Sequence, residues 1–221
     1  MQPSGEGNLV SIYPYLPAMG FASGVVVLGF CWGLVLFPFI HNYQGSLTYI
    51  SQGMDMYCGW SGAVLGSCGM FIALCELVAA LHTSRARPLL LAVLFQAPSW
   101  CIIVGVSGTG WGIHYTALAV LLCSTLYYHW VFASTHPLAS ATLFYQRTNV
   151  LTIVNALLFF MAFVMMHAGV APSDSSLLLD LTVSLEVCLI TCVTVQTFCV
   201  SWVLLQYQNI HIAFDARPYH Y

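Results

Sequence analysis

Long apolar runs separated by short polar connections dominate the chain. Six of these stretches, at about 16–41, 57–82, 88–106, 111–135, 149–171 and 177–206, approach or exceed the roughly 20 apolar residues that cross a hydrocarbon core of about 30 Å. The runs are continuous rather than alternating, which predicts helices and not the strands of a barrel. A backbone in hydrocarbon has to satisfy its own hydrogen bonds, and a helix does so within one segment. Most connections are short, so successive helices are expected to be antiparallel neighbours. The longer ones are the first loop, from His41 to Tyr57, and the fourth, from His136 to Thr148. The predicted class is all-α: a polytopic six-helix transmembrane bundle forming a single domain over residues 1–221.

Composition agrees. Of 221 residues 60% are hydrophobic and only 5% charged, with a mean hydropathy of +0.86, whereas soluble domains carry roughly 25% charged residues. Lysine is absent and Arg85, Arg87, Arg147 and Arg217 are the only basic side chains. No basic face exists to neutralise a phosphate backbone, which excludes nucleic acid as a partner. The start of the chain is polar and contains Glu6, without a positive region ahead of the first apolar run, so that run is expected to remain as a signal anchor. Eight of the nine cysteines fall inside apolar runs and read as small hydrophobes. Only Cys58 lies near a loop, and Cys188 with Cys192 makes an i, i+4 pair that reads as packing.

The arginines set an orientation. The second loop, the fourth loop and the C-terminal tail carry all four, and the alternate loops carry none, with Asp55 and Asp174 on that other side. The positive-inside rule then predicts cytoplasmic termini, with the first, third and fifth loops facing a lumen or the exterior. Gly20 with Gly24, Gly29 with Gly33, and Gly62 with Gly66 have GxxxG spacing, and packing within the bundle is expected for them. Pro98 predicts a kink in the third helix and a freed carbonyl about one turn earlier.

Ionisable residues at membrane depth are functional candidates by default. Glu76 and His129 each lie about six residues, or about 9 Å, from the arginine-bearing face and are placed to pair across the bundle. Such a pair serves either as a buried bond fixing helix register or as a proton or ligand site. Near the opposite face His41, His114, His167 and Asp180 share a level, with Glu186 about two turns below Asp180, which suggests a polar pocket or a set of amphipathic interfacial rings. Haem would need matched pairs such as His114 with His167 and His82 with His129, but the third helix has no histidine. A metal hydrolase site from His41, Asp55, His114, His167 and Asp180 has no H-E-x-x-H or similar local motif behind it. No cofactor and no catalytic or metal residue is therefore assigned.

Two segments carry a family resemblance. Leu47-Thr48-Tyr49-Ile50-Ser51-Gln52-Gly53, after a first helix ending Phe37-Pro38-Phe39-Ile40-His41, resembles the P-Y-I-S-x-x-G loop of the six-span DRAM/Frag/Sfk family, which is related to the CWH N-terminal region. Gly112-Ile113-His114-Tyr115-Thr116-Ala117, leading to Leu126-Tyr127-Tyr128, resembles that family's fourth helix, and Glu186 an acidic position in its later spans. Thr48 stands in place of the family's proline, and Gly53 arrives one residue early. The resemblance implies a non-catalytic protein of an endomembrane (lysosome or Golgi) or the plasma membrane that organises lipids or partner proteins, in the manner of autophagy modulators. It also implies that Tyr49, Ile50, Ser51, Gly53, His114 and Glu186 hold a luminal loop against the bundle. Other expectations consistent with the sequence are an accessory subunit of a larger membrane complex, such as one of the mitochondrial inner membrane, an enzyme or haem carrier using the luminal histidines, and a transporter.

Overall fold

The computed structural model describes residues 15–42, 47, 49–50, 60–81, 83, 85–105, 111–136, 139, 142–168 and 176–215. They form six helices: α1 Leu16–Asn42, α2 Ser61–Leu81, α3 Ala86–Gly105, α4 Trp111–Thr135, α5 Leu143–His167 and α6 Ser176–Asp215. Each is long and apolar enough to cross a membrane. The protein is thus an all-α, six-span integral membrane protein.

The boundaries that differ most from the hydropathy pattern are the start of α5 and the end of α6. α5 begins at Leu143, six residues before the apolar run, because the extended Thr142 starts a helix whose first five residues include Gln146 and Arg147. Gln146 N–H donates to the Thr142 carbonyl at 3.2 Å. The helix α6 continues to Asp215, beyond the apolar run that ends near 206, since a helix need not end where the hydrocarbon does.

Each helix packs beside its sequence neighbours, and α1 against α6 closes the ring, with α2 also touching α6. Antiparallel packing shows in the contacts: Phe21 stacks on Phe198 at 5.6 Å, while farther along α1 Trp32 Nε1 donates to Thr191 Oγ1 at 3.2 Å. The first glycine pair permits this approach. A methyl on Gly24 would lie 2.5 Å from Phe198 Cε1, and one on Gly20 would press on Ser201 and on Cys75. The second pair behaves otherwise: Gly29 and Gly33 face open space, so only the first pair of α1 serves packing within the bundle. Gly69 on α2 receives the face of Trp100, whose ring atoms would lie 2.6–3.0 Å from an added methyl.

Polar side chains inside the helices are mostly satisfied at short range. The hydroxyls of Thr152, Thr182, Thr191 and Thr194 donate to the carbonyls four residues earlier, which removes their protons from the hydrocarbon. Beside Pro98, Ser99 Oγ donates to the Phe95 carbonyl at 2.7 Å within a helix that continues through the proline. Large apolar side chains, among them Leu91, Leu94, Leu151, Leu157 and Met161, are exposed on the outer faces of α3 and α5, where lipid is their natural solvent.

Candidate functional site

A cavity of about 110 Å³ runs inside the ring. Its walls come from α1, α2, α3, α4 and α6, together with Ile50 of the first loop. Lining residues extend from Leu65 to Glu76 on α2, from His114 to Thr125 on α4 and from Glu186 to Thr197 on α6. Each interval is eleven residues, so the cavity is about 16 Å long at about 1.5 Å per residue. Its middle is apolar, formed by Ile72, Leu118, Leu122 and Ile190, and polar groups stand at both ends.

At the end bearing Arg85, Arg87 and Arg147, Glu76 and Gln96 line the cavity and are each 2% exposed. Glu76 Oε1 lies 3.4 Å from His129 Nε2, a close approach rather than an aligned hydrogen bond. The other ring nitrogen, Nδ1, lies 2.5 Å from Tyr145 Oη. From there the polar contacts cross the bundle. Asn149 Nδ2 donates to the His129 carbonyl at 3.1 Å, and Gln196 Nε2 donates to Asn149 Oδ1 at 2.6 Å. Tyr128 Oη donates to the Glu76 carbonyl at 2.7 Å. Four helices, α2, α4, α5 and α6, are therefore tied at one depth. Both His129 nitrogens face protein groups, which leaves neither for a haem iron.

At the other end Leu47 and Ile50 of the first loop are held by carboxyl groups of α6. Leu47 N–H donates to Asp180 Oδ1 at 2.6 Å and Ile50 N–H donates to Glu186 Oε2 at 3.3 Å. Tyr49 and Ile50 are buried, and Tyr49 Oη donates to Met166 Sδ at 3.4 Å. Burial, reinforced by the nearby Glu186 carboxylate and by Tyr115, pushes the Tyr49 phenol well above its ordinary range, with a Thr182 hydrogen bond acting the other way.

The histidines and acids expected to share one polar pocket are divided. His114 and Glu186 line the cavity, with His114 Nδ1 3.2 Å from the Ile103 carbonyl. His167 is exposed at the end of α5, stacked on Phe163 at 4.1 Å, and Asp180 is engaged by the loop. Ser51, Gly53, Asp55, Cys58, His82, Asp174 and Arg217, and the side chain of His41, lie outside the described residues. Among the described residues no three His, Cys, Asp or Glu side chains gather in a metal-holding group.

No protein-family model, curated protein or solved structure matches this chain. The chemistry of the cavity thus carries the functional reading.

Gln96, Tyr145, Asn149 and Gln196 were not singled out by the sequence as site residues. Gln96 and Gln196 stand in the middle of apolar runs, which is a usable signal, since a buried amide in hydrocarbon needs a partner. Tyr145 gives no such signal, because it lies in a stretch whose polarity reads as loop.

Proposed function

We propose that the protein is a non-catalytic organiser of membrane lipid that takes a lipid chain into the interior of its bundle. The observation that carries this reading is the long cavity, apolar in its middle and polar at its ends, with Ile50 of the first loop forming part of one end. Apolar walls with a few convergent polar groups are the ordinary make-up of a small-molecule site. The loop and fourth-helix resemblance to the DRAM/Frag/Sfk family supports lipid as the partner. Orientation follows from Arg85, Arg87 and Arg147: the Glu76 end of the cavity is cytoplasmic and the loop end faces a lumen or the exterior. An endomembrane or the plasma membrane is the corresponding location.

The test is purification in a mild detergent followed by mass spectrometry of everything retained. Retention of a lipid at fixed ratio, lost on filling the cavity with Ile190→Trp in a variant that still folds, is the expected result. A fixed set of protein partners with no retained lipid would overturn it and make the chain a subunit of an assembly.

A further inference from the structure

We infer that the Glu76 end of the cavity is a receptor for the hydroxyl group of a slender, hydroxyl-tipped alkyl chain, held between Glu76 Oε2 and Gln96 Nε2. This rests on the lipid-binding reading and names the chemistry of the ligand. Both atoms are buried without a hydrogen-bond partner in the protein, they come from two different helices, and their side chains line the same cavity. Leaving such a group unsatisfied is costly, and hydrocarbon offers no water to relieve it.

The two atoms differ in kind. Glu76 Oε2 offers a carboxyl oxygen and Gln96 Nε2 is a donor. A ligand carboxylate would satisfy Gln96 and face a second carboxyl group, while an ammonium would satisfy Glu76 and leave the amide without an acceptor. A hydroxyl donates to one and accepts from the other. The hydroxyl protons of Thr194 and Thr197 are already committed to the carbonyls of Ile190 and Val193 and do not reach Glu76.

The dimensions select the rest of the molecule. A volume of about 110 Å³ open to the centres of water-sized groups, averaged over about 16 Å, corresponds to a mean bore of about 6 Å. An extended methylene chain passes through that bore and a fused-ring skeleton does not. Roughly a dozen methylenes fill the length. A file of water molecules is a poor occupant, because each needs two to four polar partners and Ile72, Leu118, Leu122 and Ile190 offer none.

The experiment uses the full chain in lipid nanodiscs with two photoreactive probes of equal length. One is a twelve-carbon primary alcohol carrying a mid-chain diazirine, and the other is the same chain without the hydroxyl. Labelled residues are mapped by mass spectrometry, with the lipid-facing Leu151 and Met161 as internal reference. The expected result is labelling of Leu122 and Ile190 about tenfold stronger with the alcohol, as one well-placed buried hydrogen bond provides, and competed by 1-dodecanol. Gln96→Leu, which leaves only the Glu76 acceptor, should reduce the alcohol's advantage over the alkane without changing the alkane. Equal labelling by both probes in the unaltered protein would overturn the hydroxyl receptor while leaving the lipid reading standing. Labelling of the outer residues alone would overturn both. The comparison of probes needs no variant, so a folding defect in Gln96→Leu cannot decide it.

Discussion

Removing the Asp180 carboxylate should release the first loop from the bundle while leaving the six helices intact. The 2.6 Å bond from Leu47 N–H to Asp180 Oδ1 is short and ends on a carboxylate, the kind that contributes about 1.5–3 kcal/mol. At about 1.4 kcal/mol per factor of ten, Asp180→Ala raises the open fraction of the loop by about tenfold to about a hundredfold. The Ile50 bond to Glu186 is longer, at 3.3 Å, and Glu186→Gln keeps an acceptor, so that change amounts to less than about tenfold. Tyr49 and Ile50 remain packed among α1, α2 and α6 residues, which limits the effect to local opening. Hydrogen exchange of the peptide containing 47–50, followed by mass spectrometry in nanodiscs, reads the open fraction directly. Exchange in Asp180→Ala within about twofold of the parent, or a larger effect from Glu186→Gln, would refute the clamp.

Three further outcomes follow from the same geometry. Gly24→Ala forces the methyl into the Phe198 ring and should destabilise by about 1–3 kcal/mol, whereas Gly33→Ala meets open space and should gain up to about 1 kcal/mol in helix propensity; unfolding titrations in mixed micelles read both, and equal signs would contradict the packing. Tyr145→Phe leaves His129 Nδ1 without its neighbour and should cost about 1–2 kcal/mol by the same titration, with an unchanged midpoint counting against the buried polar chain. For Tyr49, a raised phenol pKa means that the folded state holds the proton more tightly than the unfolded state. Its contribution is fully present below the ordinary phenol value of about 10 and is lost as pH rises through and above it. With the base-catalysed intrinsic rate divided out, the open fraction of the loop should therefore increase above about pH 10 in the parent and not in Tyr49→Phe.

The six spans were legible because apolar runs long enough for a bilayer have few other uses, and Glu76 and His129 stood out because ionisable groups in such runs are rare. The polar chain they belong to was not legible. Gln146 and Arg147 give the start of α5 the look of a loop, yet the helix begins at Leu143 and puts Tyr145 and Asn149 on one face, four residues apart, toward α4 and α6. Glycine spacing likewise marks where close approach is permitted, not which pair uses it, and only the facing Phe198 and Ser201 distinguish Gly20 and Gly24 from Gly29 and Gly33. The cavity depends on how five helices and a loop residue leave space between them, a quantity no periodicity encodes.

The most direct test of the central claim is to ask what touches the cavity wall. With isoleucine methyl groups labelled and the protein in nanodiscs, nuclear Overhauser contacts from Ile72 and Ile190 report their neighbours, with the exposed Ile113 as the reference for bulk lipid. Contacts from Ile72 and Ile190 to chain methylene protons are predicted. Contacts to water alone would contradict a lipid chain in the interior of the bundle.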